Sequence, residues 1–279
     1  MFAPLTVVVI CCDDERVFST IDSVDLDLPI IVSLVPNESL EERLRARGVQ
    51  VVLSRRGSNS ISVNRGLDAV KTKAGIIIDS DCCFHPGCLA KIISMLQEAP
   101  LARTHVHFET SDRLFASNSL AEWYSSVNNR LPIRAYTPGL ALKLDIIDSI
   151  GGYYFDERIF WSCDSEFSKR VTRAGLEIAY LPDAAITHAP ISLAHFIRSG
   201  YKHGMGNRAQ VKLGLRPPFE NPDRILGRLL YRLNPKRRIN GQRLKSEKSD
   251  RILNIIWTIA FYVGYYRVFF HPVERISAY

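Results

Sequence analysis

The sequence predicts an α/β fold: a mostly parallel central sheet flanked by helices, followed by a helical, basic and aromatic C-terminal extension. Three observations predict it. Strand-like and helix-like stretches alternate from Leu5 to Asp81, the pattern of crossover-linked parallel strands. The strand-like stretches are runs of branched aliphatics such as Val7-Val8-Val9-Ile10 and Ile76-Ile77-Ile78, which suit strands covered on both faces. Beyond residue 215 the composition changes to a cationic stretch and then an apolar, aromatic one.

Leu5–Ile10 is a β-rich run, and Cys11–Glu15 a polar loop at its C-terminal end. Arg16–Val24 reads as a short helix with Val17, Ile21 and Val24 on one face. Pro29–Val35 is a second strand. Glu38–Arg47 is a charged helix closed by Gly48, and Val49–Leu53 a third strand. Arg55–Ser60 reads as a loop and Ser62–Lys71 as a helix carrying Asn64 and Arg65. Ile76–Asp81 follows as a strand. A helix then runs from Pro86-Gly87 to Glu98, with a strand at Thr104–Phe108 and a helix at Ser119–Leu131. Asp164 opens a helix that ends at Gly175, where an aspartate also has a local capping role. Leu176–Leu181 and Ala185–His188 read as two short strands separated by a Pro182-Asp183 turn, and Arg198–Arg208 as a glycine-hinged basic loop.

In a parallel sheet, ligands bind beyond the C-terminal strand ends. The Asp13-Asp14 loop, the Arg55–Arg65 segment and Asp79-Ser80-Asp81 all fall on that rim. Side chains two apart on a strand point the same way, so Asp79 and Asp81 present two carboxylates together. Such a pair repels unless something positive lies between, and oxygen ligands of this kind suit Mg²⁺ or Mn²⁺.

The six cysteines lie at 11, 12, 82, 83, 88 and 163. Two adjacent pairs and no spaced framework exclude a disulfide scaffold and fit a reduced, cytoplasmic compartment. Cys82, Cys83, His85 and Cys88 make a poor tetrahedral zinc set, because neighbouring cysteines are badly placed and no second pair follows at finger spacing. Met1–Cys12 has no basic leader and reads as a first strand, not a signal peptide.

At this point the order of marks resembles family 2 glycosyltransferases. The marks are Val7–Ile10, Asn64-Arg65-Gly66, Asp79-Ser80-Asp81 with Pro86-Gly87, and Gly139. Gly151–Glu157, Asp164-x-Glu166-x-x-x-Arg170, Gly175 and His188 complete them. The resemblance implies a single-domain A-type nucleotide-sugar fold and an inverting transfer from a nucleotide-diphosphate sugar to an acceptor hydroxyl, with Mg²⁺ or Mn²⁺ assisting. It implies Asp164 as catalytic base, with Glu166 orienting the base or acceptor. It implies Asp81 and His188 as metal ligands, and Asp79 against the ribose or donor sugar. Asn64 and Arg65 are expected at the nucleobase or diphosphate, as are Arg198 and Lys202 from a closing basic lid. The catalytic domain is expected over 1–215, its nucleotide-sugar half at 1–100 and its acceptor half at 101–215, with a tail at 216–279. Two departures stand out. The family's Glu-Asp pair is Cys163-Asp164, and the aspartate after the second strand is missing from Ile31–Val35, so Asp13 or Asp14 is expected to take over base recognition.

The net charge of +7 belongs to one segment. Between Arg224 and Arg251 ten lysines and arginines face two acids, a net +8. Ile252–Phe270 follows, apolar and rich in Tyr and Phe, about 28 Å long as a helix. A basic stretch leading into such a helix fits an anionic membrane surface at the inner face, and with it a glycan or lipid-linked acceptor. Packing on the core and spanning the bilayer are the alternatives. A nucleic-acid-binding protein is a weaker reading, since no binding module accompanies the charge and the aspartates would be left without a role. A degenerate transferase that binds donor without turnover is the nearer alternative, given Cys163 and Ser33.

Overall fold

The structure, a computed structural model, describes residues 4–218, 238–239, 242–243 and 248–267. The chain divides into two compact units. Among the described residues, one holds 4–109 and 125–189, and the other 110–124, 190–218 and the segments from 238 to 267.

The first unit is built on an eight-stranded sheet. Its strands are β1 (Thr6–Cys11), β2 (Ile30–Leu34), β3 (Gln50–Leu53), β4 (Ala74–Asp79), β5 (Cys82–Phe84), β6 (Leu101–Phe108), β7 (Leu140–Lys143) and β8 (Ile178–His188). Their spatial order is β3-β2-β1-β4-β7-β6-β8-β5. The β3-β2-β1-β4 half is parallel, and β6 and β8 also pair in parallel. Only β7 and β5 run against their neighbours. Helices α1 (Val17–Asp22), α2 (Glu38–Ala46), α3 (Asn59–Asp68), α4 (Cys88–Glu98) and α6 (Cys163–Arg173) connect the strands. α5 (Ser117–Asn128) bridges the two units along the chain.

The aliphatic runs behave as their composition dictates. Val7, Val8, Val9, Ile76, Ile77 and Ile78 are all fully buried, because the sheet is covered on both faces. Gly139, at the start of β7, has φ +81°, and a Cβ there would lie 2.0 Å from Thr104 Oγ1. Only glycine lets this corner approach β6 while its N–H donates to the Ile77 carbonyl at 2.8 Å.

Three expectations are corrected. Pro182-Asp183 does not separate two strands: β8 runs on to His188, and the extra residues form a bulge where pairing jumps from Thr104↔Leu181 to His105↔Ala185. A bulge is where a proline is tolerated inside a sheet. The short Cys82–Phe84 stretch, not anticipated as a strand, pairs with the end of β8. α3 also begins earlier than expected, at Asn59.

The second unit contains α7 (Leu193–Lys212) and α8 (Lys248–Arg267). The expected glycine-hinged loop at 198–208 is the middle of α7. Its glycines serve close packing instead: a Cβ on Gly204 would lie 1.9 Å from the Phe261 carbonyl oxygen, and one on Gly264 would lie 2.0 Å from that of Tyr201. Trp123 and Tyr124 join a cluster with Phe196 and Trp257, and Trp123 is buried there. Most of the basic stretch 224–251, and residues 268–270, lie outside the described residues. No helix among the described residues is long and apolar enough to cross a membrane.

Gly264→Ala will lower stability by about 1–3 kcal/mol, the usual cost of forcing a methyl into a packed interface. Urea unfolding against wild type measures it; an unchanged midpoint would contradict the backbone-to-backbone contact.

Candidate functional site

The site lies at the C-terminal ends of β4 and β8. β1 ends beside β4 with Ile10 opposite Asp79, and the Ser80 N–H donates to the Ile10 carbonyl at 3.0 Å. The chain then turns into β5. Pairing of Cys82 with His188, and the Ala189 N–H bond to the Asp81 carbonyl at 2.9 Å, bring the end of β8 to the aspartates. His188 Nε2 thus stands 3.6 Å from Asp81 Oδ1. Its Nδ1 lies 2.7 Å from the Ala189 carbonyl oxygen, so Nδ1 carries a hydrogen and Nε2 is the ring nitrogen left to face Asp81. As the neutral tautomer, the ring would offer a cation this nitrogen beside the carboxylate.

Asp81, Cys82 and His188 place one ligand atom each within 4.8 Å of one another. Cys82 is fully buried. Burial, followed by the charges of Asp79 and Asp81, pushes its thiol far above the usual range, so it stays protonated. Its Sγ donates to Asp81 Oδ1 at 3.8 Å. The groups that could hold an ion are therefore a carboxylate oxygen and an imidazole nitrogen, which fit a hard divalent ion better than a thiolate-seeking one. Cys83, His85 and Cys88 join no such group among the described residues.

Asp79 and Asp164 add negative charge. Burial pushes Asp79 up to about 7, and the charges of Asp81 and Asp164 add to the rise. Burial likewise raises Asp164 to about 6, while the Ser165 N–H and the Arg103 charge oppose it. Asp164 is the second residue of α6, after Ser162 in a left-handed conformation at φ +61°. Its Oδ1 accepts the Ser165 N–H at 2.7 Å, within the first turn and not as the helix cap.

Arg103 on β6 was missed in the sequence, where a lone cation in Leu-Ala-Arg-Thr-His-Val reads as surface. It is fully buried. Nη1 donates to the Thr104 carbonyl at 3.1 Å, and Nε and Nη2 have no hydrogen-bond partner. Burial lowers its pKa to about 10, against the charges of Asp164, Tyr180, Cys82 and Asp79. A buried guanidinium with two idle donors, within the field of two site carboxylates, is costly unless those charges or a ligand compensate it.

Other expected site residues are placed differently. Glu166 is buried and forms a two-pronged ion pair with Arg170, at 2.8 and 3.0 Å. Arg170 in turn donates to the carbonyls of Ile150, Tyr153 and Tyr154. Asn64 Nδ2 donates to the Phe155 carbonyl at 2.8 Å and to Glu157 Oε1 at 3.1 Å, and its Oδ1 accepts the Phe155 N–H. Asn64 thus clamps the Gly151–Glu157 loop directly, and Glu166 holds the Arg170 that binds the same loop. Arg65 is exposed on α3. Asp14 is held by Arg16 through paired bonds of 2.9 and 2.6 Å, and Arg16 also reaches Asp81 Oδ2 at 3.5 Å. Asp13 accepts from Asn37 beyond β2. Arg198 and Lys202 lie on α7 in the second unit. Ser33 on β2, in the stretch where the resemblance expects a base-recognising aspartate, is fully buried with an unpartnered hydroxyl.

Among solved structures, the crystal structure of S. aureus TarS matches at a TM-score of 0.51 and 16% identity, over 90% of this chain and 47% of that one. The similarity shows the fold, and the present chain spans about half the length of that protein. No curated protein matches the chain. The family model described as Glycosyl transferase family 2 matches residues 36–147, which include Asn64, Asp79, Asp81 and Arg103, and the resemblance drawn from the motifs therefore holds.

Proposed function

We propose that the protein is an inverting glycosyltransferase that moves a sugar from a nucleotide-diphosphate donor to an acceptor hydroxyl, assisted by Mg²⁺ or Mn²⁺. The observation that carries this reading is the meeting of Asp81 with His188, in the electrostatic field of Asp79, Asp164 and the buried Arg103. Asp81 and His188 would hold the divalent ion, which when bound would neutralise charge on the departing diphosphate. Asp79 accepts a hydroxyl of the ribose or the donor sugar. Asp13 and Asp14, on the loop after β1, face the nucleobase, and Arg65 supplies charge for the diphosphate. Asp164 takes the proton from the acceptor hydroxyl as that oxygen attacks the anomeric carbon and the diphosphate leaves. Asn64 acts through the loop it clamps, and Glu166 through Arg170.

Asp164 works only when deprotonated. With its pKa raised to about 6, kcat/KM falls as pH drops below that value. Arg103 favours the carboxylate form, so Arg103→Met will move this acid limb toward neutral pH while the substrate is held at saturation in a parallel kcat series. An acid limb unmoved from about 6 would remove Arg103 from this role, and thermal unfolding separates a structural loss from the electrostatic one. The reading as a whole is tested by turnover of a panel of nucleotide sugars. Donor binding without turnover would favour the degenerate alternative, which the buried Cys163 thiol in place of a carboxylate makes concrete.

A further inference from the structure

The pair of helices α7 and α8 has more apolar surface than its own packing uses. Contact between them occupies one side of α8, where Leu253, Ala260, Gly264 and Tyr265 are buried. On the other side Ile252 is 58% exposed, Ile259 55% and Val263 56%, with Ile256 completing a stripe at helical spacing. Ile197 of α7, 41% exposed, continues it across an open groove of about 710 Å³. A helix apolar all round is normally buried, and an exposed patch of this kind marks an interaction surface.

We propose that this face docks on an anionic lipid bilayer. Charge selects the occupant. Residues 193–212 and 251–267 carry six lysines and arginines and no aspartate or glutamate; Arg208 is buried against Tyr265, and the other five are exposed or half-buried. A second copy of the chain would set cations against cations, and the segment 224–251 would do the same with its net +8. An anionic bilayer complements both properties: the isoleucines enter the boundary between headgroups and acyl chains, while the cations meet phosphates. Arg267 donates to the Tyr201 hydroxyl at 2.5 Å, and this Arg–Tyr pair at the edge of the groove suits the headgroup level, where tyrosine is enriched. The helices lie on the surface and do not span it. The inference stands on α7 and α8 alone, and its test reads binding, not turnover, so it fails or survives independently of the proposed transfer reaction.

The test is sedimentation of the full chain with vesicles of phosphatidylcholine alone or mixed equally with phosphatidylglycerol. Wild type will partition onto the anionic vesicles about tenfold more strongly, and rising salt will weaken binding as screening shortens the reach of the charges. Ile259→Asp/Val263→Asp, both at exposed positions, will lose about tenfold of that binding with an unchanged unfolding midpoint. Ile252→Asp provides an independent variant should the pair misfold. Equal binding by the variants would overturn the proposal. So would a wild type that ignores both vesicles and elutes as a dimer which Ile259→Asp/Val263→Asp splits, for a second copy would then cover the face.

Discussion

Asp164→Asn will reduce kcat by about 10²–10⁴-fold, the usual worth of a general base, and will leave nucleotide affinity within a factor of about two. The substitution keeps the shape of the side chain and the oxygen that accepts the Ser165 N–H, so the first turn of α6 is retained. What is lost is the ability to take a proton. The pH dependence sharpens the expectation: wild type loses kcat/KM below about 6, whereas the residual activity of Asp164→Asn will show no acid limb there. Residual activity that kept the wild-type limb would place the base on another group, with Asp79 the nearest alternative.

The second large effect concerns Asp81. Asp81→Asn will lower kcat/KM by about two to three orders of magnitude, since a metal that stabilises a leaving diphosphate contributes several kcal/mol. Added Mn²⁺ will not restore it, because the charged oxygen nearest His188 Nε2 is gone. His188→Ala removes one proposed ligand and leaves the Asp81 charge in place, so its deficit will shrink as Mn²⁺ rises. Steady-state kinetics across a Mn²⁺ series distinguishes the two patterns. Equal response of both variants would mean that Asp81 and His188 do not share one ion. Arg16 also touches Asp81, at 3.5 Å, and Asp81→Asn releases it; Arg16→Met isolates that contribution.

Much of the first unit was legible because its physics is local. Val7–Ile10 and Ile76–Ile78 are too apolar to be anything but covered strands, and Gly48 and Gly175 close their helices in positive φ as glycine allows. The rim position of Asp79 and Asp81 followed from the parallel topology. Long-range pairing was not legible. Cys82–Phe84 is three residues long and became a strand only because β8 continues past its bulge, and that same pairing puts His188 beside Asp81. Arg103 could have been suspected from its place in an otherwise buried run, but the charges that act on it, Asp164 and Asp79, are far away in sequence. Motif positions do not say which way a side chain turns: Asn64 bonds the loop before α6, and Glu166 bonds Arg170. The α7 glycines misled for a related reason: glycine marks a hinge or a close contact, and only the partner helix decides which.

The most direct measurement is calorimetric titration of UDP, GDP and dTDP into the full chain, with and without Mn²⁺, beside Asp81→Ala. The account predicts that one nucleotide binds, that binding needs Mn²⁺, and that Asp81→Ala abolishes the metal-dependent part. Nucleotide binding that is equally tight without Mn²⁺, or unchanged in Asp81→Ala, would contradict it.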